Sequence, residues 1–218
     1  MSAIELLQSY NNRLEPLLCQ YLDSKTSEAG NISPVCKDML SRIKDFTIRG
    51  GKRIRPAFIY YGYKCFRQDH EEDVIFASMC IELLHSYLLI HDDIMDEDEI
   101  RRNQMTMHTD YANIPLVAGL QSRSSFGNSM ATIAGDIAGA LAIDVIAASS
   151  FPSECKIRAI LKLCEMELNV CHGQALDVLS SCCNDYCEEK TMLINTLKTA
   201  CHTIEGPLQL GGILAGAS

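Results

Sequence analysis

Six of the eight residues from Asp92 to Glu99 are acids, in the run His91-Asp-Asp-Ile-Met-Asp-Glu-Asp-Glu-Ile-Arg-Arg102. On a helix, Asp92 and Asp96 stand four apart on one face with Asp93 beside them, and each like-charged pair costs a few tenths of a kcal/mol in water. Partial burial raises that cost, and Leu88, Leu89 and Ile90 run directly into the acids. Something cationic must offset the repulsion. Every donor on offer is a hard oxygen, which suits Mg2+, an ion that keeps several waters and takes substrate phosphates into its shell. The same acids also fit a solvated helix end, above all Glu97, Asp98 and Glu99. His85, seven residues before Asp92, shares their face and fits either a hydrogen-bonded core position or a ligand contact.

Three further clusters bear charge or hydrogen-bonding groups. Gly50-Gly-Lys-Arg-Ile-Arg-Pro56 gathers Lys52, Arg53 and Arg55 at a helix start, where bare N–H groups and the helix dipole attract anions. Lys offers a point charge and Arg a fork for a diphosphate, although short basic runs are also ordinary surface turns. Arg101 and Arg102 follow the acids directly and also fit simple charge compensation at a helix end. Gln174 and Asp177 stand three apart in a helical stretch, and Glu189, Lys190 and Thr191 open the next one. One arrangement uses all of these groups: carboxylates hold Mg2+, the metal holds one diphosphate, and basic groups hold a second.

The whole chain limits the alternatives. It has 218 residues, with 19 Lys and Arg against 28 Asp and Glu, a net charge of -9. An acidic surface repels phosphate backbones, so no nucleic-acid partner is expected. Eleven cysteines, an odd number, with no signal peptide at the start, read as reduced thiols in a cytoplasmic protein. Cys182, Cys183 and Cys187 lie near one another but lack the paired spacing of a zinc site. No transmembrane segment is expected. The most apolar stretch, Met130 to Ser149, is broken by Asp136 and Asp144, and its Gly135 and Gly139 suit a close helix contact within the protein.

The elements that must position these groups are helical almost throughout. Ile4, Leu7, Leu14, Leu18 and Leu22 recur at helical steps, and the polar stretch from Ser24 to Ser33 predicts a turn before Pro34. Residues 57–67 have strand-like composition but no partner strand nearby. The pattern predicts one long helix over 74–98, with Ile81, Leu84, Leu88 and Met95 on its apolar side. Residues 104–123 look loose. Further helices are predicted over 124–149, 152–179 and 188–205, with a link near 182–186 and a stop at Gly206-Pro207. The fold class is all-α, and the length suits one domain over 1–218.

These residues, in this order, resemble the trans-isoprenyl diphosphate synthases, or polyprenyl synthetases. The matching strings are GGKRIRP, ELLHSYLLIHDDIMDEDEIRR, AGDIAGALA, GQALDV, EEKT and LGGILAGA. The resemblance implies an isoprenoid synthase-type helical bundle around a central cavity. It implies a Mg2+-dependent prenyltransferase of isoprenoid biosynthesis, which condenses isopentenyl diphosphate with an allylic diphosphate. Asp92, Asp93 and Asp96 would ligate two Mg2+ ions on the allylic diphosphate. Arg101, Lys190, Thr191, Gln174 and Asp177 would serve that same diphosphate, with Arg101 and Lys190 among the catalytic groups. Lys52, Arg55, His85 and Arg102 would hold isopentenyl diphosphate. Tyr87, roughly 7.5 Å along the helix from Asp92, would floor the tunnel. That bulk and the short acidic motif imply a geranylgeranyl product, or else farnesyl.

The chain departs from the family pattern in ways that shape the expectations. Asp92-Asp93 is its one Asp-Asp pair, so the second Asp-rich motif and the further ion it would hold are missing. The C-terminal helices are expected to be absent with it. The chain alone is then expected to be a poor catalyst, and helices such as 208–217 should show an uncovered apolar face that drives a homodimer or heteromer. Asn103 and Met105 stand where the family usually has Gly and Pro. The alternative is a non-catalytic subunit that pairs with a complete synthase and tunes product length. A terpene cyclase holds a single diphosphate, which leaves Lys52, Arg55 and His85 without a purpose.

Overall fold

Ser33 precedes Pro34, a pairing that starts a helix well, and the chain does turn there. The Ser33 hydroxyl accepts from the Cys36 N–H at 3.1 Å, and Pro34 fills a first-turn position that needs no N–H. The computed structural model describes residues 2–119, 121–183 and 187–217. Their helices are α1 (Ala3–Gly30), α2 (Pro34–Ile48), α3 (Ile54–Lys64), α4 (Glu71–Met95), α5 (Met107–Ala112), α6 (Arg123–Ala148), α7 (Ser153–Cys183), α8 (Glu188–Asn195) and α9 (Gly206–Leu214). A π-helical segment, Thr196–Glu205, joins α8 to α9, and a two-stranded hairpin pairs β1 (Ile100–Arg101) with β2 (Gln104–Met105).

Several boundaries differ from the sequence pattern for identifiable reasons. The polar stretch from Ser24 to Gly30 stays helical within α1, where Thr26 returns its hydroxyl to the Leu22 carbonyl at 2.7 Å. Residues 57–64 form helix, not strand, because α3 buries Ile59, Tyr60 and Tyr63. Helix α4 stops at Met95, which is 53% exposed and so leaves the apolar side assigned to it. Residues 104–123, which looked loose, hold β2, α5 and the start of α6. Gly206-Pro207 does not stop its helix. Pro207 occupies the first turn of α9, where its missing N–H costs little, and the Gly206 N–H reaches back to Cys201 in the π register. Of the link near 182–186, residues 184–186 lie outside the described residues.

The chain divides into two compact units. The first comprises Met1–Asn11, Arg53–Ile81 and Ile143–Ser218. Here α3 meets α9 at two glycines. A Cβ on Gly62 would stand 2.7 Å from the Leu208 carbonyl oxygen, and one on Gly211 would overlap the backbone of Ile59. Leu210 and Leu214 are therefore buried in that contact, and the expected bare face over 208–217 is mostly covered. Large apolar side chains are exposed in this unit along α7, at Ile157, Leu161, Leu168 and Leu179, and elsewhere at Ile4, Phe66, Met192 and Ile204. The second unit comprises Asn12–Lys52 and Glu82–Ala142. It buries Leu14, Leu18, Leu22, Ile43, Leu83 and Ile90 completely, each contributing about 1.5–3 kcal/mol. Helices α4 and α6 are long and apolar enough to cross a membrane by that test alone, but 67% and 44% of their apolar windows are buried within the protein.

Candidate functional site

The acid turn belongs to the second unit and begins inside α4. The Asp96 N–H still donates to the Asp92 carbonyl at 2.9 Å, so the two keep their one-turn relation although the helix ends at Met95. Asp92 is half-buried and Asp96 exposed. Asp93 between them has a fully buried side chain. Arg101 reaches back with Nε and Nη2, each 2.5 Å from one Asp93 oxygen, and Nη2 also stands 3.8 Å from Asp92 and 3.6 Å from Asp98. The other Asp93 oxygen is buried and accepts no hydrogen bond. Burial pushes the Asp93 carboxyl above its ordinary range; Arg101 opposes that shift, and the charges of Asp98 and Asp92 add to it.

Among the described residues, no three acid, His or Cys side chains converge closely enough to chelate an ion alone. Magnesium is usually bound by one or two carboxylates, with waters and phosphates completing its shell. Asp92 and Asp96 offer that set of hard oxygens, and the unsatisfied oxygen of Asp93 lies beside them in sequence. The donor chemistry therefore fits the ion that the sequence implies.

The hairpin aims the two arginines. Arg102 and Asn103 both take left-handed conformations, with φ 51° and 61°, as a two-residue turn with the twist of the strands requires. Asn tolerates that region well, which explains how Asn103 can stand where Gly is usual. Arg102 donates to the carbonyls of Arg49 at 2.6 Å and Gly50 at 3.0 Å. Gly51, at φ 116°, lies under the same guanidinium, where a Cβ would stand 3.7 Å from it. Arg49 donates to the Met105 carbonyl at 2.8 Å and, with Arg101, Arg102, Phe46 and Leu89, lines a small hollow. Sequence reasoning missed Arg49; its signal was its position directly before Gly50-Gly51. Lys52 is exposed, and His85 and Tyr87 are half-buried.

Arg55, Gln174, Asp177, Lys190 and Thr191 belong to the first unit. Gln174 is 8% exposed, and both polar atoms of its amide are buried without a hydrogen-bond partner. Asp177 accepts from Lys198 Nζ at 2.7 Å. Lys190 instead lines an apolar hollow with Leu176, Leu179 and Leu193, and the Thr191 hydroxyl returns to the Cys187 carbonyl at 3.0 Å. The cation next to Asp177 is thus Lys198, which sequence reasoning also missed. Its signal was a repeated pair, Lys198-Thr199 following Lys190-Thr191. Gly173 makes room for it, since a Cβ there would stand 2.7 Å from Lys198 Cγ. One turn further along the π segment, His202 is 2% exposed, and burial together with the Arg55 charge lowers its pKa to about 3.

Comparison with known proteins follows the same residues. A profile of the family described as Polyprenyl synthetase matches residues 37–218. The geranylgeranyl pyrophosphate synthase of Geoglobus acetivorans is 36% identical over 129 residues, covering 59% of this chain and 35% of that protein. The short chain isoprenyl diphosphate synthase of Methanothermobacter thermautotrophicus is 29% identical over 219 residues, covering 100% of this chain and 59% of its own length. A crystal structure of geranylgeranyl pyrophosphate synthase from Corynebacterium glutamicum, complexed with isoprenyl diphosphate and magnesium, superposes with a TM-score of 0.88 at 28% identity. It covers 100% of this chain and 62% of that one. The chain thus spans between 35% and 62% of the length of these relatives.

Proposed function

This chain belongs to the polyprenyl synthetase family, and from that premise we propose that it binds two isoprenoid diphosphates and joins isopentenyl diphosphate to an allylic one. The observation that carries the reading is the acid turn: Asp92 and Asp96 sit one helical turn apart outside the core, while Asp93 is drawn inward and clamped by Arg101. Asp92 and Asp96, with Asp93, would hold Mg2+. Bound there, the ion acts as a Lewis acid on the leaving diphosphate.

The chain's own residues do the rest. Arg101, now on Asp93, lies 3.8 Å from Asp92 and is positioned to share itself with an incoming diphosphate. Gln174 has an amide waiting for a polar partner, and Asp177 with Lys198 supplies a matched pair of charges beside it. Lys190 and Thr191 follow on the next helix. Lys52, Arg55, His85 and Arg102 hold isopentenyl diphosphate. Fixing both substrates replaces a bimolecular encounter by a positioned one. Apolar walls of the site would keep water from the allylic carbon as the carbon–oxygen bond breaks.

Tyr87 limits the length of the hydrocarbon tail, which favours geranylgeranyl diphosphate as the product and farnesyl diphosphate after it. Eleven free thiols suit a reducing, cytoplasmic setting. The companion-subunit alternative draws no support from these relatives, whose names are those of synthases.

The test uses the purified chain with magnesium, labelled isopentenyl diphosphate and farnesyl diphosphate. The reading predicts magnesium-dependent binding of both substrates and a slowly formed, longer prenyl diphosphate. Changing Asp92→Asn and Asp96→Asn together should cut binding of the allylic substrate by on the order of 100-fold. A folded chain that binds neither substrate contradicts the reading.

A further inference from the structure

Within the second unit, two arginines cross between the end of α2 and the hairpin, each donating to the other segment's backbone. Arg49 Nη1 donates to the Met105 carbonyl of β2 at 2.8 Å. In return, Arg102 Nη1 donates to the carbonyls of Arg49 at 2.6 Å and Gly50 at 3.0 Å. Those carbonyls follow the last turn of α2, where a helix leaves acceptors unsatisfied and favours a cation. Arg102 lies over Gly51, with both Nη atoms 3.7 Å from where a Cβ would stand. The start of the basic run and the arginines of the acid turn, some fifty residues apart, are thus tied together from both sides.

A hollow of about 10 Å³ lies between them, lined by Phe46, Arg49, Leu89, Arg101 and Arg102. Three guanidinium groups around one hollow repel one another, an arrangement that suits a place an anion approaches. The volume decides how it approaches. The hollow holds about one water molecule, so a diphosphate cannot enter it and Arg49 does not touch the substrate there. The rest of the Arg49 head faces the protein: its central carbon lies 5.8 Å from the Phe46 ring centre, and its Nε is buried. We propose that Arg49 is a positioning residue for isopentenyl diphosphate: by holding β2 to the end of α2, it keeps Arg102 set over Gly51 before the substrate arrives. The inference rests on the reading above, in which Arg102 holds that diphosphate.

The consequence is specific to one of the two substrates. Arg101 stands on the same hairpin, but Asp93 holds its guanidinium through two contacts of 2.5 Å that do not involve Arg49. Arg102 has its carbonyl partners in the segment that Arg49 ties to the hairpin. Without Arg49, Arg102 must be ordered as the ligand binds, and that cost falls on the affinity. Loss of one hydrogen bond from a charged donor corresponds to about a tenfold weaker complex.

The experiment measures dissociation constants for isopentenyl diphosphate, and for farnesyl diphosphate with magnesium, in the unchanged chain, Arg49→Gln, Arg49→Lys, Arg102→Gln and the Arg49→Gln, Arg102→Gln double variant. Circular dichroism confirms that each is folded. The expected result is about tenfold weaker binding of isopentenyl diphosphate in Arg49→Gln, with farnesyl diphosphate within about twofold of the unchanged chain. Arg49→Lys, which keeps a charged donor for the Met105 carbonyl, loses less. Adding Arg49→Gln to Arg102→Gln costs nothing further, because the first residue acts through the second. Unchanged binding of isopentenyl diphosphate, an equal loss for both ligands, a loss in Arg49→Lys as large as in Arg49→Gln, or the same loss with and without the Arg102 guanidinium overturns the inference. Failure of the unchanged, folded chain to bind isopentenyl diphosphate at all overturns the functional reading itself.

Discussion

The two units draw their charge partners from different distances along the chain. Around the acid turn, charge is neutralised by partners close in sequence: Arg101 returns eight residues to Asp93, and Arg102 caps carbonyls at the end of the α2 segment. Along α7 and the π-helical segment, Asp177 takes its cation from Lys198, twenty-one residues on, while a buried amide at Gln174 meets no partner and His202 is buried neutral. The first arrangement is a local circuit in which a buried carboxylate depends on one arginine and keeps one oxygen unpaired. The second keeps its charges nearer solvent and leaves both polar atoms of the Gln174 amide unpaired.

The largest effect that this contrast predicts is in Arg101→Ala. It leaves Asp93 buried and unpaired, and urea unfolding should show a loss of about 3–5 kcal/mol. A loss below about 1 kcal/mol would mean that the acid turn does not depend on its arginine.

A second prediction concerns acid. The folded His202 has a pKa of about 3 against the ordinary 6.5, so the unfolded chain takes up a proton that the folded chain refuses. Stability from this group is complete above pH 6.5 and falls as the pH drops toward about 3, by up to about 1.4 kcal/mol per pH unit. Asp93 works in the opposite sense. Its raised folded pKa favours the protonated folded state, so its contribution improves as the pH falls toward the ordinary carboxylate range. His202→Gln should therefore flatten the acid side of the stability curve measured by thermal unfolding; an unchanged slope rules out a buried neutral imidazole.

The smallest effect is in Lys198→Ala. Its pair with Asp177 is partly exposed, at 23% and 39% of the two side chains, and its removal should cost no more than about 1 kcal/mol of stability. Loss of diphosphate binding without loss of stability would sharpen the contrast, because it separates a ligand-facing pair from a structural one.

The sequence showed the local circuit more readily than the distant one, and the reason is geometric. Acids and arginines within eleven residues of each other meet readily once the chain turns, and the basic run after Gly50-Gly51 stood out by its charge. The hairpin that turns the chain between Arg101 and Gln104 was not foreseen, because Arg102 and Asn103 adopt left-handed conformations without glycine. The pairing of Asp177 with Lys198 depends on a π register, in which each turn takes extra backbone and shifts the face of every later residue. A period of 3.6 residues cannot reveal that shift, so Lys198 was not legible beside Asp177, whereas Lys190 stood out through the string EEKT. The covered face over 208–217 escaped notice for a similar reason: Gly62 and Gly211 permit a backbone contact whose partner, α3, lies some 150 residues earlier in the chain.

Titration calorimetry of the chain with farnesyl diphosphate, run with magnesium and then with a chelator, tests the central claim most directly. The account predicts saturable binding that requires the divalent ion and disappears in the Asp92→Asn, Asp96→Asn double variant. Binding of equal strength with chelator present, or in the double variant, would show that the acid turn is not the bridge to the diphosphate and would contradict the account.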